Sequence, residues 1–317
     1  MNCEPSVAIQ PLSSSSFVQS VCAVMVTHHP DGGLVDRILR IAPQVAQTVI
    51  VDNGSSASCM EPIRKLTHTI PVYLILNRSN EGIASALNVG TRWAASEGFR
   101  WVLTLDQDTT VLPDMMDVLA EVVRFYPFPE RLAVIGSNYR DKVNGTLFCE
   151  PTNRTDGFPG REMTSVLTSG SLISIDAFQK IGGFRDDFFI DCVDHEYCLR
   201  ARARGFHVVL TSAPVMEHGI GHLTEHRLLW RKVHTSNHSP VRVYFTTRNI
   251  LILAREYLAK EPRWIIESLL GQTKSILLVC LFERDRISKM KYALRGCIDG
   301  VLGRTGSLSQ PIAGRNR

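Results

Sequence analysis

The sequence predicts an α/β fold: a mostly parallel sheet flanked by helices, followed by a helical C-terminal extension. Three observations carry this expectation. Apolar runs of strand length alternate with segments whose apolar residues recur at helical spacing. The early runs each end in polar residues, as strands do where a parallel sheet offers its carboxyl ends to a ligand. Beyond about residue 259 the strand pattern gives way to long apolar stretches mixed with Arg and Lys. Strands alternating with helices imply parallel crossovers and a sheet covered on both faces.

The first run, Val21 to Thr27 (VCAVMVT), is a buried-strand pattern closed by the turn HHPDGG. Leu34 to Ile41 has helical spacing. TVIVDNGS is a second strand, ending at Asp52 where Asn53 and Gly54 signal a turn. VYLILN is a third, and after Gly82 a helical face is formed by Ile83, Leu87 and Ala94. WVLTLD is the fourth strand, and PDMMDVLAEVVRFY a helix with Pro113 near its start. SVLTSGSLISI then predicts a strand kinked at Gly170, and DAFQKIGGF a short helix stopped by Gly182 and Gly183. FFIDCVDHEYCLRARARGFHVVL predicts a loop, a helix ending at Gly205 and a strand, and VRVYFTTRNILILAREYL a further helix. The expected divisions are a flexible leader (1–20), a catalytic domain (21–258) and a basic helical extension (259–317).

With 44% hydrophobic and 21% charged residues the chain is an ordinary globular protein, not a disordered or collagen-like one. A net charge of +4 gives no reason to expect a nucleic-acid partner, but its distribution is uneven. From Lys260 onward there are 11 Lys and Arg against 5 Asp and Glu, so the basic excess is confined to the tail. The eight cysteines show no CxxC spacing, and PLSSSSFVQS near the start reads as a loose leader; reduced thiols in a cytoplasmic protein fit both. The longest apolar stretch, WIIESLLGQTKSILLVCLF, is interrupted by Glu267, Gln272 and Lys274 and is not read as a membrane span.

Four clusters are candidates for chemistry. Asp106 and Asp108 end a core strand, where carboxylates are costly unless something positive meets them. They suit a hard divalent cation, or Asp108 simply caps a turn. Asp52, with Thr27 one strand away, ends its own strand as a turn residue or as an acceptor for a ligand's donors. Asn80, Gly82 and Asn88 surround a helix start, which attracts phosphate or is merely capped. Asp191, Asp194 and Glu196 lie at another helix start, where they either stabilise its positive end or supply a general base. His218, His222 and His226 recur every four residues, but the two glycines of HGIGHLTEH make a poor helix, and a zinc site is set aside.

Taken in order, VTHHP, VDNGS, NEGIASALNVG, LDQDT, TSGSLIS, GGFRDDFFIDCVDHEYCLRARARG and HSPVRVYFTTRN resemble family 2 glycosyltransferases of the GT-A fold, whose sheet is Rossmann-like. Among them the chain is similar to bacterial rhamnosyltransferases of O-antigen and polysaccharide synthesis. The resemblance implies inverting transfer from a nucleotide sugar. Thr27 and Asp52 would face base and ribose, with Asn80, Gly82 and Asn88 along the donor. Asp106 and Asp108 would hold Mg²⁺ or Mn²⁺ on the donor diphosphate, with His218 as a further ligand. Arg248, with Arg242, would contact a diphosphate or be a solvated helix charge. Asp194 would be the base, with Asp191 its competitor and Glu196 orienting it or lining the acceptor pocket.

The subfamily suggests L-rhamnose from dTDP-L-rhamnose and a lipid-linked saccharide acceptor; UDP-galactofuranose is the alternative donor. A sugar nucleotidyltransferase is a different class, disfavoured because THHPDGG carries no Lys or Arg. The basic tail is expected either on the inner face of the cell membrane or packed against the catalytic domain or a second subunit.

Overall fold

The computed structural model describes residues 14–142, 145–150, 157–219, 224–228 and 231–308. A helical turn, α1 (Ser14–Val18), leads into β1 (Val21–Thr27), α2 (Leu34–Ile41), β2 (Gln47–Asp52), α3 (Ala57–Leu66), β3 (Val72–Leu76), α4 (Ile83–Ser96) and β4 (Trp101–Asp106). These four strands are parallel, with β1 between β2 and β4 and with β3 outside β2. Every residue of β1 is buried, as a strand with helices on both faces requires. Cys22, Val24 and Val26 feed one core, while Val21, Ala23 and Met25 feed the other. Register sets Thr27 opposite Asp52 and Val26 opposite Asp106, so the polar strand ends reach one level.

The chain continues through β5 (Thr110–Val111), α5 (Met115–Phe125), β6 (Leu132–Asp141), β7 (Gly160–Glu162), β8 (Ser171–Ser174), α6 (Ile175–Ile181), α7 (Val193–Ala203) and β9 (His207–His218). The sheet runs β3-β2-β1-β4-β8-β6-β9-β5, with β7 paired to β9. Its first half is parallel, as the alternating pattern implies, and its second half is mixed. β8 is antiparallel to β4 and β6, while β6 and β9 are parallel to each other. The reversal has a local consequence: β8 begins where β4 ends, so Ser169 accepts a hydrogen bond from the Asp106 backbone N–H at 3.0 Å. Sequence patterning does not single out β6, because Gly136, Ser137 and Asn138 break its apolar run.

One expectation is corrected at the N-terminus. The leader ends in structure: Phe17 of α1 is 2% exposed and packs near Trp101, with ring centroids 6.4 Å apart. Its burial against the start of β4 outweighs the polar composition of its neighbours.

At the other end, a hairpin of β10 (Thr224–Leu228) and β11 (Arg231–Thr235) precedes α8 (Pro240–Tyr257), α9 (Pro262–Phe282) and α10 (Arg286–Leu302). Ser239 caps α8 by accepting from the Arg242 N–H, with proline in the first turn. α10 lies close against α8: a Cβ on Gly296 would sit 2.6 Å from the Tyr244 carbonyl oxygen. Glu283, between α9 and α10, pairs with Lys289 at 2.6 Å and accepts from the Asn237 N–H, tying the β10–β11 side to the helices.

The polar residues that argue against a membrane span do not interrupt α9, which is continuous over 21 residues. By length and composition alone it could cross a bilayer, and only 11% of its apolar window is buried.

If Phe17 anchors α1 as described, Phe17→Ala lowers unfolding stability by about 3 kcal/mol or more, read from urea unfolding. A loss within experimental error would mean that the turn contributes nothing to the fold.

Candidate active site

A cleft of about 740 Å³ opens over the carboxyl ends of β1 and β4. Thr27, Asp106 and Asp108 reach it from the strand ends, and Asp191 and Asp194 from the start of α7. Arg242 of α8 and Trp264 of α9 close the far side.

Carboxylate oxygens of Asp106 and Asp108 and a ring nitrogen of His218 lie within 4.8 Å of one another. Gln107 points elsewhere: it accepts from the His28 N–H at 2.8 Å and donates to the His28 carbonyl at 3.2 Å. That reciprocal pair locks the β1 loop to the end of β4 and leaves the flanking aspartates free. Thr109 hydroxyl bonds to Ser169 and to Nδ1 of His218 at 3.1 Å, so Nε2 is the nitrogen available for a ligand.

Burial, then the nearby Asp108 and Asp194 carboxylates, push Asp106 up to about 7, with Arg242 pulling the other way. Burial also holds the His218 imidazole below its usual value, against the pull of Asp108. Two carboxylates short of positive charge beside a neutral imidazole fit a divalent cation such as Mn²⁺ or Mg²⁺. The wider histidine set does not join them. His226 bonds Thr235 and stacks on Phe282, and His222 lies outside the described residues.

Near the end of β1, Thr27, Asn80 and Gly82 line the cleft, and so does Asn53. Asp52 stands one layer behind, accepting from the Thr27 hydroxyl at 2.9 Å and from the Ser55 N–H and hydroxyl. Asn53 donates to the Gly82 carbonyl, and Asn80 accepts from the Gly82 N–H. Gly82 has φ +86°, and a Cβ there would sit 2.6 Å from the Phe189 carbonyl oxygen. That oxygen accepts from the Ile83 N–H at 2.8 Å, so the Gly82 loop is bonded directly to the loop before α7.

The loop before α7 is strained. Phe189, Asp191 and Cys192 have φ of 63°, 62° and 60°. At Phe189, with ψ −63° and an Ile190 N–H to Phe188 carbonyl bond of 2.8 Å, this is a γ-turn of the rare hand. Asn249 holds it by donating to the carbonyls of Phe188, Ile190 and Asp191 at 3.1, 3.0 and 2.8 Å.

Three expected site residues serve this loop or its surroundings instead of the cleft. Arg248 is 1% exposed and donates to the carbonyls of Asp187, Phe188 and Gly306; with its fork consumed there it has no access to a donor. Asn88 is buried and exchanges hydrogen bonds with the Phe184 backbone and Asp186. Glu196 is 1% exposed, paired to Arg200 through both oxygens and bonded by the Tyr257 hydroxyl, because its place on α7 faces inward.

Asp191 and Asp194 both face the cleft but differ in what holds them. Asp191 is clamped by Arg242 at 2.6 and 3.3 Å and by the Thr246 hydroxyl at 3.1 Å. Asp194 accepts only from the adjacent His195 N–H among the described bonds, leaving a carboxylate available to a substrate. The residues that sequence reasoning did not single out are Gln107, Thr109, Ser169, His195, Asn249 and Trp264. For Asn249 the signal stands in TTRN, where an Asn follows the Arg that drew the attention.

A family model described as Glycosyl transferase family 2 matches residues 25–182. A curated relative, the dTDP-rhamnosyl transferase RfbF of Shigella flexneri, is 28% identical over 90% of this chain and 97% of its own. Among solved structures, S. aureus TarS 1–349 superposes with a TM-score of 0.57 at 13% identity, over 90% of this chain and 82% of that one. The mannosyltransferase PcManGT of Pyrobaculum calidifontis, solved with GDP-Man and Mn²⁺, gives 0.54 at 13% identity, over 90% and 88%. These likenesses establish a GT-A fold.

Because the folded value for Asp106 lies above the ordinary 3.8, the folded chain holds more protons than the unfolded chain between 3.8 and about 7. Metal-free stability contributed by this group therefore falls as pH rises through that window. A cation must displace the proton, so the melting-temperature gain on adding Mn²⁺ is expected to grow as pH rises through about 7. Asp106→Asn should remove both the gain and its pH dependence. A gain independent of pH in the unmodified protein would show that Asp106 is not the group displaced.

Proposed function

The chain belongs to the family 2 glycosyltransferases, and from that membership we propose that it moves L-rhamnose from dTDP-L-rhamnose, with inversion, onto a hydroxyl of a lipid-linked saccharide in the cytoplasm. The observation that carries the reaction class is the facing of Asp194 and the Asp106–Asp108–His218 group across one cleft. Rhamnose rests on the likeness to the dTDP-rhamnosyl transferase.

In this reading Asp194 takes the proton of the acceptor hydroxyl as its oxygen attacks the anomeric carbon, and the bond from that carbon to the diphosphate oxygen breaks. Attack opposite the leaving group inverts the centre. Asp106, Asp108 and His218 would hold the divalent metal, whose charge when bound offsets that of the departing diphosphate. Arg242, aimed by Asp191 and within the field of Asp106 and Asp108, presents a second positive group to the cleft from its far side. Thr27 and Asn53 meet the nucleoside, with Asp52 fixing the Thr27 hydroxyl from behind.

Two measurements test this. Donor screening by thermal shift with Mn²⁺ is expected to rank dTDP-L-rhamnose above UDP-sugars; a larger shift with UDP-galactofuranose would replace the donor and leave the reaction class in place. Single-turnover transfer at saturating donor then separates the aspartates. Asp194→Asn should lose at least about a hundredfold in rate with donor binding and melting temperature retained. Asp191→Asn frees Arg242 and should also weaken donor binding. If Asp194→Asn transfers at the normal rate, the base is another group.

A further inference from the structure

We infer that the outer faces of α9 and α10 seat the protein on an anionic lipid bilayer. α9 is two-faced. Trp264, Ser268 and Gln272 line the cleft, and Ile265, Leu278 and Val279 are buried on the adjoining side. At 100° per residue, Ile266, Leu270, Leu277 and Leu281 fall on the opposite side, and all four are exposed, Leu270 to 66%. α10 repeats the arrangement. Tyr292, Ala293, Gly296 and Gly300 are buried, Gly296 and Gly300 against α8, while Ile287, Leu294, Ile298 and Val301 are exposed, Ile287 to 71%. Each helix thus carries an aliphatic stripe, interrupted by an exposed lysine (Lys274 in α9, Lys291 in α10), that the rest of the described chain does not cover.

The charges around the stripes choose the occupant. Glu261, Glu267, Glu283 and Asp299 are each paired with a cation of their own. Lys274, Arg284, Arg286 and Lys291 are exposed and make no ion pair among the described residues; Asp285 is the exposed acid left beside them. Aliphatic side chains bordered by free Lys and Arg are the composition of a helix lying in a membrane interface, where cations meet anionic headgroups. A second copy is the poorer partner. Protein interfaces favour aromatic anchors, which these stripes lack, and a two-fold contact would set the same free cations against their own copies. Crossing the bilayer is poorer still, because it would carry Ser268, Gln272 and Lys274 into hydrocarbon and take the inner face of α9 from the cleft. Lying along the surface, α9 keeps its inner face on the cleft and its outer face in lipid. A lipid-linked acceptor would then reach Asp194 from the bilayer side.

The test is co-sedimentation of the full chain with vesicles of phosphatidylethanolamine and phosphatidylglycerol, against vesicles of phosphatidylcholine alone. Neither donor nor acceptor is present, so the result stands apart from the transfer reading. The chain should bind the anionic vesicles, less so in high salt. Leu270→Asp with Leu277→Asp should bind at least about tenfold more weakly at an unchanged melting temperature, since both positions are exposed. Lys274→Glu with Lys291→Glu should lose the preference for anionic lipid. An unmodified chain that stays in the supernatant overturns the inference, as does a double Asp variant that binds normally. A dimer in sedimentation velocity that separates in the double Asp variant, without vesicle binding, assigns the face to a second copy.

Discussion

The site depends on one interaction: the capture of loop carbonyls by the Asn249 amide of α8. Three non-glycine residues between Phe189 and Cys192 hold positive φ, a conformation that costs roughly 1–3 kcal/mol at each such residue. Nothing in the local sequence favours it. Asn249 makes it tenable by donating to three carbonyls that no helix or strand would satisfy, and Arg248 adds bonds to one of these, Phe188, and to the neighbouring Asp187 carbonyl. Those bonds set the direction in which α7 starts, and so where Asp194 stands. They also leave the Phe189 carbonyl turned toward Ile83, which fixes the loop at Gly82. An amide near the middle of one helix therefore holds Asp194 and the Gly82 loop in one frame.

The second organising feature is electrostatic. Four carboxylates, Asp106, Asp108, Asp191 and Asp194, line one cleft, and their roles follow from their partners more than from their positions. Asp191 is neutralised by Arg242. Asp106 has no ion-pair partner among the described residues and is driven up to about 7, which suits a place that receives positive charge. Asp194 has no such clamp: it accepts the His195 N–H at 2.8 Å, with the His195 ring 3.7 Å away. Sequence spacing gave Asp191 and Asp194 equal standing at a helix start; the guanidinium that separates them comes from 51 residues away.

This is also the boundary of what the sequence made legible. The first four strands and their helices were readable because each is a local apolar pattern, and parallel pairing then brings their polar ends together. Asp106, Asp108 and His218 were readable because the family pattern names them, and the fold does bring them within ligand distance. Arg248, Asn88 and Glu196 were misread for one shared reason. Each lies in a stretch that resembles the family, but a motif records that a polar residue is needed, not whether it faces the cleft or the loop behind it. β6 was missed because Gly136, Ser137 and Asn138 break its apolar run, and the reason for the glycine, a Cβ that would meet Val166 at 2.5 Å, is a contact no window of sequence contains.

The C-terminal helices show how far the site extends beyond the segment that defines the family. The family match stops at residue 182, before α7 begins. Asp194, the arginine beside the aspartates and the aromatic wall of the cleft all come later in the chain. α9 contributes that wall with Trp264, whose ring meets His195 edge-on at 5.1 Å, while His195 bonds Ser165 at 2.6 Å. The residue following Asp194 is thus packed between the loop before β8 and a helix of the extension. A helix so placed is no passive appendage: moving it would shift one wall of the cleft. The same rigidity that holds Trp264 over the cleft on one side presents the aliphatic stripe on the other. Whatever covers that stripe is therefore coupled mechanically to the cleft.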